Sequence, residues 1–497
     1  MNTKNFSKIL VANRGEIACR IIRSIKKMGK TSVAIYSEAD ENALFTQLAD
    51  EAYLIGKADS ADSYLNIEKI ISICKEHHVD AVHPGYGFLS ENSNFAKALT
   101  NNGITLIGPS PEAMDLMGSK LAAKETVAKY DVPMVPGTEG AVENPDLASK
   151  IADEIGLPIL IKASAGGGGK GMRVVYEKSE VKEQFERAVS EAISAFGDGQ
   201  VFIEKFVEEP RHIEIQILAD RHGNVVYLNE RECSIQRRHQ KVIEEAPSPV
   251  ITPELRKQMG EAACNVARSC DYEGAGTVEF LYDSGNFYFL EMNTRLQVEH
   301  PVTEYITGVD LVEEQIKIAQ GEEMKIRQED VKIDGHAIEV RVYAEDPFNN
   351  FLPDIGKLIK YKEPKGIGIR VDSGFVEGDT IPLQYDPMIA KLIVHAKDRN
   401  SAIEKMTHAI NNYKIIGIST TLGFCEFAIN HEDFVSGNFS TNFVKKNFEN
   451  PEVMYDSNPD IMLAGAIKTF LNKEEELQNI ETASISPQGV SEWTSRK

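Results

Sequence analysis

Two periodicities of apolar and polar residues alternate along this chain, and the switches between them mark its elements. Residues 8–12 (KILVA) form a short apolar run and a turn follows at 13–16. Residues 17–28 then carry apolar positions at helical spacing, and 32–36 (SVAIY) returns to a strand pattern. Strand, helix, strand at this spacing predicts a βαβ opening on a parallel sheet. A helix over 67–77, a strand at 81–82, a helix over 94–101 and a strand at 104–107 continue that unit to near Pro111. A long helix over 118–130 and a linker over 133–140 lead into a second α/β unit: helix 147–155, strand 159–162, strand 173–176, helix 181–196, strand 201–205.

The pattern changes after residue 205. Residues 212–218 (HIEIQIL) alternate with period two, and 225–229 reads as the hairpin partner. A helix over 253–270 precedes two β-rich runs, 277–282 and 287–292, around the turn residues Asp283, Ser284, Gly285 and Asn286. A helix over 311–320, strands at 336–344, near Leu358 and Ile369 and at 389–394, and a helix over 401–412 make an α+β module ending near Phe448. The rest is polar, with one amphipathic stretch at 461–471 and the single tryptophan, Trp493. The expected architecture is α/β. A parallel-sheet domain at 1–116 is followed by a central domain at 117–330 with a hinged subdomain at about 133–205, an α+β domain at 331–448 and a tail at 449–497.

The two β-rich runs each carry one carboxylate among apolar neighbours, Glu279 and Glu291. An acid in a buried strand is costly unless it is paired or bound to a cation. A two-residue turn would pair Glu279 with Leu290 and put Glu291 on the opposite face. An odd loop, with Gly285 left-handed, would make the acids diagonal neighbours on one face. Asn293 shares the face of Glu291. These are either hard oxygen ligands for Mg2+ or Mn2+, or acids salt-bridged to nearby Lys or Arg.

Four further stretches carry candidate chemistry. Residues 163–171 (ASAGGGGKG) expose consecutive backbone N–H groups and a lysine, Lys170, between two strands, which suits either an anion-covering lid or a flexible linker. Lys120 and Lys162 are further cations placed for phosphate oxygens, and Glu204 at a strand end suits a nucleotide base. Residues 230–247 (ERECSIQRRHQKVIEEAP) gather Arg237, Arg238, His239 and Lys241 beside Glu244 and Glu245, either as a solvated loop or as a small-anion pocket. In 294–301, Arg295, Gln297 and Glu299 alternate and share a face if extended. An arginine fork beside an amide and a carboxylate suits a planar anion such as bicarbonate, and the carboxylate can take its proton. Arg341 is a cation within an apolar strand, and 83–88 (HPGYGF) is either a ligand loop or a tight turn.

Composition narrows the partners. The chain has 497 residues, 42% hydrophobic and 26% charged, as in an ordinary soluble globular protein. A net charge of −22 argues against nucleic acid as a bulk partner, so an anionic substrate needs local basic clusters. The six cysteines form no CxxC pair, so neither zinc nor a disulfide framework is indicated. No apolar run reaches membrane-spanning length and no signal region opens the chain, so a cytoplasmic protein is expected. The turn after the first strand lacks GxGxxG, and GxxxxGK[ST] is absent.

Taken together, NRGEIACRI, HPGYGFLSEN, KASAGGGGKGMR, RRHQK with EEAP, GTVEF with FLEMN, and MNTRLQVEHPVTE resemble the biotin carboxylases, which are ATP-grasp ligases. The resemblance spans about residues 6–448, and GHAIEVRVYAEDP and YDPMIAKL resemble the family's C-terminal domain in acyl-CoA carboxylases. Lys170 stands where the family often has arginine. The resemblance implies an ATP-grasp fold with a Rossmann-like N-terminal domain, a mobile lid and a C-terminal α+β domain. It implies phosphorylation of bicarbonate by ATP, then carboxylation of biotin. Lys120, Lys162, Gly168, Gly169, Lys170, Glu204, Lys205, Val207, His212, Gln236 and His239 would contact ATP. Glu279, Glu291 and Asn293 would hold Mg2+ or Mn2+, and Glu299 would deprotonate bicarbonate positioned by Arg295, Lys241, Gln297 and Val298. Arg341 would stabilise the biotin enolate.

No AMKM-type biotinylation turn occurs, so biotin on a separate carrier protein is expected, together with a homodimer and a separate carboxyltransferase subunit. The acceptor is an acyl-CoA or, alternatively, pyruvate. Another carboxylate ligase of the carbamoyl-phosphate type is disfavoured by RRHQK and RLQVEH, and a non-catalytic nucleotide sensor by the intact set of charged residues.

Overall fold

The computed structural model describes residues 3–448 except 131, 139, 164–170 and 239, and at Lys120, Leu121 and Phe196 it describes the backbone alone. The expectations for the glycine run and for the tail therefore lie outside the described residues. The chain divides into two units, Met1–Phe443 and Val444–Lys497.

The opening βαβ pattern folds as expected. Strands β1 (Lys8–Val11), β2 (Thr31–Ser37), β3 (Glu51–Gly56), β4 (Ala81–His83) and β5 (Thr105–Leu106) form a parallel sheet in the order β3-β2-β1-β4-β5. Edge strand β3 carries no clear apolar alternation and is mostly half-buried, so its pattern is weak. Helix Gly15–Lys27 lays Ile17, Ile21, Ile22 and Ile25 against Leu311, Val312 and Ile316 of helix Leu311–Ala319. The helix expected at 118–130 runs over Lys120–Ala128, and a further helix, Pro111–Gly118, precedes it without having been expected. They break at Ser119, whose hydroxyl caps the second by accepting from the Ala122 N–H.

Strands β6 (Ile159–Ala163), β7 (Met172–Val175) and β8 (Val201–Lys205) make a small antiparallel sheet, β7-β6-β8. Helices Pro145–Ile155 and Val181–Phe196 cover it through Ala148, Ala152, Val181, Phe185 and Ala188.

The site is built on the third sheet. It contains β9 (Arg211–Ala219), β10 (Val225–Arg237), β11 (Gln240–Ala246), β12 (Gly274–Asp283), β13 (Asn286–Asn293) and β14 (His336–Tyr343). Two short ladders flank it: β15 (Glu345–Asp346) with β16 (Leu352–Pro353), and β17 (Lys360–Lys362) with β20 (Lys414–Ile416). With β18 (Ile369–Ser373) and β19 (Met388–Ala396), the order is β13-β12-β9-β10-β11-β14-β19-β18. With Gln236, Gln240 and Lys241 lining a cavity, the charged stretch 230–247 is not a solvated loop. It is a central hairpin, with Glu230, Arg231, Glu232, Glu244 and Glu245 all buried. Strand periodicity fails there because the inward positions are filled by paired charges. One face of this sheet packs on an apolar layer that includes Ile213, Ile215, Val278, Phe280 and Phe289. Each such side chain contributes roughly 1.5–3 kcal/mol by burial.

Candidate functional site

The hairpin of β12 and β13 resolves the register question in a third way. Its turn has two residues, Ser284 and Gly285, both at positive φ, with Asp283 opposite Asn286. The parity is changed further up. Phe280 pairs with Phe289, but Glu279 pairs with Glu291, so Leu290 is the extra residue of a β-bulge. The two carboxylates thus lie directly opposite each other, neither on opposite faces nor diagonal. The row continues across the sheet, with Glu279 opposite Glu214 on β9 and Glu214 opposite Arg231 on β10.

Above this row lies a cavity of about 490 Å3. Its walls include Lys162, Glu204, His212, Gln236, Lys241, Glu279, Glu291, Asn293, Arg295, Gln297, Val298, Glu299 and Arg341, so thirteen expected site residues converge on one space. Gln240 and Lys124 join them, and Phe202, Leu281 and Phe289 supply apolar wall. Five lysines and arginines (Lys124, Lys162, Lys241, Arg295, Arg341) face four carboxylates (Glu204, Glu279, Glu291, Glu299). In a chain of net charge −22 this is the local basic surplus that an anionic substrate needs.

Lys241 is the hub of the floor. Its ammonium donates to Glu214 Oε2 at 2.5 Å, Glu279 Oε1 at 2.9 Å and Glu299 Oε1 at 2.7 Å. Burial opposes its charge, but the three carboxylates outweigh burial and raise its pKa well above the usual lysine value. Glu299 Oε2 also accepts from Arg341 at 2.9 Å. Burial works to protonate Glu299, and Lys241, Arg341 and Arg231 overcome it and hold the carboxyl well below its ordinary range. Glu279 is likewise depressed, with burial opposed by Lys241 and by His212, whose Nε2 lies 3.1 Å away. Beneath them Arg231 is completely buried and donates to Glu214, Gln216, Thr303, Thr277 and Gln297. Arg341 donates its Nε–H to Glu244 at 2.7 Å, and burial raises Glu244 to about 7 in spite of that cation.

Other expectations need correction. Residues 294–299 run as a bend and turn, and their three polar side chains reach the cavity without an extended strand. Arg295 does not pair with Glu299. It binds Glu91 at 2.8 Å and the Asn293 side-chain oxygen at 2.9 Å. Arg237 leaves the cavity for Glu345 and stacks on Phe351, and Glu245 binds His336 and Arg399. Lys205 donates to the Gly156 and Leu157 carbonyls. With Val207 it lines a second cavity of about 500 Å3 with Pro136, Asp283 and Tyr288. In the 83–88 loop Asn13 donates to the Pro84 and Tyr86 carbonyls, and a Cβ on Gly85 would meet Asn13 at 2.8 Å. Gly168, Gly169, Lys170 and His239, and the side chain of Lys120, lie outside the described residues.

Glu279, Glu291 and the Asn293 amide form a hard oxygen donor set that fits a divalent cation. His212, Glu214 and Glu279 also bring one ligand atom each within 4.8 Å, but Glu214 is already committed to Arg231 and Lys241. At the far end of the cavity Glu204 binds both Lys162 (2.5 Å) and Lys124. Burial pushes the Glu204 pKa up, and the two lysines bring it below the usual value.

Several working residues carried only a faint sequence signal. Glu214 stands in the alternating run HIEIQIL, where a charge between apolar residues is itself a mark of pairing, whereas Arg231 stands in a charged run that reads as loop. Glu91 and Lys124 bore none, because their partners are remote in sequence. All six cysteines are free and buried, and among the described residues no helix is long and apolar enough to cross a membrane.

Family models match three segments: "Biotin carboxylase, N-terminal domain" at residues 5–114, "Carbamoyl-phosphate synthase L chain, ATP binding domain" at 119–327 and "Biotin carboxylase C-terminal domain" at 339–446. A pyruvate carboxylase subunit of Methanothermobacter thermautotrophicus is 55% identical over 439 residues, covering 88% of this chain and 89% of that one. The mitochondrial propionyl-CoA carboxylase alpha chain of Homo sapiens is 49% identical over 492 residues, covering 98% of this chain and 68% of that one. Among solved structures, the biotin carboxylase domain dimer of the Hydrogenobacter thermophilus 2-oxoglutarate carboxylase, in complex with MgADP, ADP and bicarbonate, superposes with a TM-score of 0.83 at 47% identity. It covers 90% of this chain and 98% of that one.

Proposed function

This chain belongs to the biotin carboxylase family of ATP-dependent ligases, and we propose that it carries out the first half-reaction of an acyl-CoA carboxylase, carboxylating biotin on a carrier protein. The observation that carries the reading is the Lys241 hub. It places a buried, ionised Glu299 between two cations in a cavity that also holds lysines and a hard-ligand set.

Bicarbonate is held by Arg295, Lys241, Gln297 and Val298, and Glu299 removes its proton. The resulting oxyanion attacks the γ-phosphoryl group of ATP, giving carboxyphosphate and ADP. Carboxyphosphate releases CO2 and phosphate; the N1 proton of biotin passes to that phosphate, and N1 of the resulting enolate, whose charge faces Arg341, adds to the CO2. Phosphoryl transfer depends chiefly on positioning and charge neutralisation, which Lys162, Lys124 and His212 supply from this chain, with Lys120 and the glycine run assigned there too. A Mg2+ or Mn2+ ion on Glu279, Glu291 and Asn293 neutralises phosphate charge when bound. Glu204, Lys205 and Val207, at the seam between the two cavities, receive the base end of the nucleotide. Gln236 and His239 complete the ATP contacts.

The functional units are residues 1–116, 117–330 with a lid at about 133–205, and 331–448, followed by the tail at 449–497. The partners are a biotin carrier, a second copy of this chain and a carboxyltransferase subunit. An acyl-CoA acceptor is supported by the match to the propionyl-CoA carboxylase chain, which extends over 98% of this chain. The 55% identity to a pyruvate carboxylase subunit favours pyruvate as the second reading.

The test is phosphate release and carboxybiotin formation by the purified chain with MgATP, bicarbonate and free biotin. Acetyl-CoA, propionyl-CoA and pyruvate are then offered to the complex that copurifies with it. Phosphate release that ignores bicarbonate would sink the carboxylase reading. Carboxylation of pyruvate alone would replace the first reading with the second.

A further inference from the structure

Lys391 is a buried cation that the reaction above leaves unused. It sits on β19 opposite Arg341 of β14 and Asp372 of β18, and its side chain is entirely inaccessible to solvent. It is not part of the cavity wall. Carboxylates surround it, with Glu16 Oε1 at 3.4 Å and Asp372 Oδ2 at 3.9 Å. Yet its short hydrogen bond goes to the main chain, where the ammonium donates to the Val298 carbonyl at 2.7 Å. Asp372 is bound on both oxygens by Arg370, but two other nearby acids are not saturated. Glu16 Oε2 and both oxygens of Glu339 are buried without a hydrogen-bond partner among the described residues.

Lys391 is ion-paired with Glu16 and Asp372, but its shortest contact, at 2.7 Å, is the one to the Val298 carbonyl. Balancing these buried acids requires a cation, because removing one member of a buried ion cluster strands the others; that need does not explain why the ammonium reaches for the main chain. What the ammonium does reach is the peptide between Gln297 and Glu299, whose side chains enter the cavity from the other side. Lys391 comes from residue 391, Glu16 from the first helix and Val298 from the segment after the site hairpin, so three remote stretches meet at this nitrogen.

We propose that Lys391 is a positioning residue for bicarbonate. It anchors the Val298 carbonyl from behind and thereby sets the Gln297–Val298–Glu299 segment in its binding geometry. The proposal rests on the reading that this segment holds bicarbonate. A displacement of about 1 Å in such a segment is enough to cost a large factor in rate.

The experiment uses the full chain and the variants Lys391→Met, Lys391→Arg and Glu16→Gln. Bicarbonate and MgATP are varied separately while phosphate release is followed, and amide hydrogen exchange is measured alongside. Lys391→Met is expected to raise the bicarbonate KM tenfold or more while the MgATP KM stays within twofold. Lys391→Arg should recover most of the loss, and Glu16→Gln should shift the bicarbonate KM in the same direction by a smaller factor. Exchange should quicken at residues 296–299 and not elsewhere. An unchanged bicarbonate KM, or an equal rise in both KM values, overturns the proposal. If Lys391→Met does not fold, Glu16→Gln decides, and no shift there is equally fatal. Failure of the carboxylation reading looks different, because the parent chain would then release no bicarbonate-dependent phosphate. The exchange at 296–299 would still report whether Lys391 holds the segment.

Discussion

At the floor of the cavity, Lys241 touches three carboxylates and Glu299 is held by two cations, with side-chain exposures of 12% for Lys241, 2% for Glu299 and 9% for Arg341. At the opposite end a single acid, Glu204, holds Lys162 and Lys124, whose side chains are 20% and 26% exposed. The floor sits on an eight-stranded sheet and the far end on a three-stranded one. The difference separates two tasks. Charges locked by several buried partners keep their geometry and ionisation before substrate arrives, so they suit bond making. Lysines that share one acid near solvent can trade it for phosphate oxygens, so they suit binding. Removing one partner of a buried pair costs about 3–5 kcal/mol, whereas exposed pairs are worth about 0–1 kcal/mol.

Four substitutions probe that contrast, in descending order of effect. Glu291→Gln removes a charged ligand beside the floor and should abolish metal-dependent ATP cleavage, a loss of several kcal/mol of transition-state stabilisation. Circular dichroism should remain native. Near-normal turnover at ordinary Mg2+ would show that the Glu279–Glu291 pair is structural.

Glu299→Gln comes next. It should bind MgATP with near-native affinity yet lose bicarbonate-dependent phosphate release and carboxybiotin formation by about 100-fold or more. Its partner Arg341 touches the same carboxylate, so Arg341→Ala should depress both activities, with carboxybiotin formation the more affected; equal losses would remove any separate role toward biotin. The pH sign follows from the same contacts. Glu279 and Glu299 are held below their ordinary carboxylate values, so their contribution to stability is complete above the unfolded pKa of about 4.5. It disappears as pH falls through the folded values. Urea midpoints from pH 6 down to pH 3 should drop less steeply in Glu299→Gln than in the parent.

The smallest effect is expected at the open end. Glu204→Gln should raise the MgATP KM about tenfold, or 1.4 kcal/mol, with little change in kcat. A fall in kcat as large as that of Glu299→Gln would erase the distinction between the two ends.

The ease of reading these regions from sequence follows the same division. Strands with unbroken apolar runs, such as 8–12, and helices with clean spacing, such as 181–196, were legible because burial alone dictates their pattern. Glu279 and Glu291 were legible as charges among apolar neighbours, Asn293 by strand parity, Lys241 as part of a basic cluster and Glu299 by its alternation with Arg295 and Gln297. Their partners were not. Arg231 and Glu244 stand on strands that look like charged loop, because each acid is neutralised by a cation from another strand and the pairing is visible only in the folded sheet. The register of Glu279 against Glu291 was hidden for a different reason: turn length predicts parity only if the ladder is regular, and Leu290 breaks it. The bond from Arg295 to Glu91 was hidden because spacing along the chain says nothing of a residue 204 positions away.

The bond between β11 and β14, with Ile243 facing Val340 and Glu245 facing Ile338, has a consequence for how this chain can change. The seam between the central region and the last third of the described chain is a hydrogen-bonded ladder running through the middle of one sheet. Recombination that exchanged residues 331–448 for a homologous stretch would have to match main-chain register on β11 and the side chain that meets Glu244 as well. Cutting the chain between residues 320 and 336 would leave two long, unpaired strand edges, each prone to self-association. Loops and surfaces of the two parts are therefore free to diverge, while the pair itself is inherited, and engineered, as one piece.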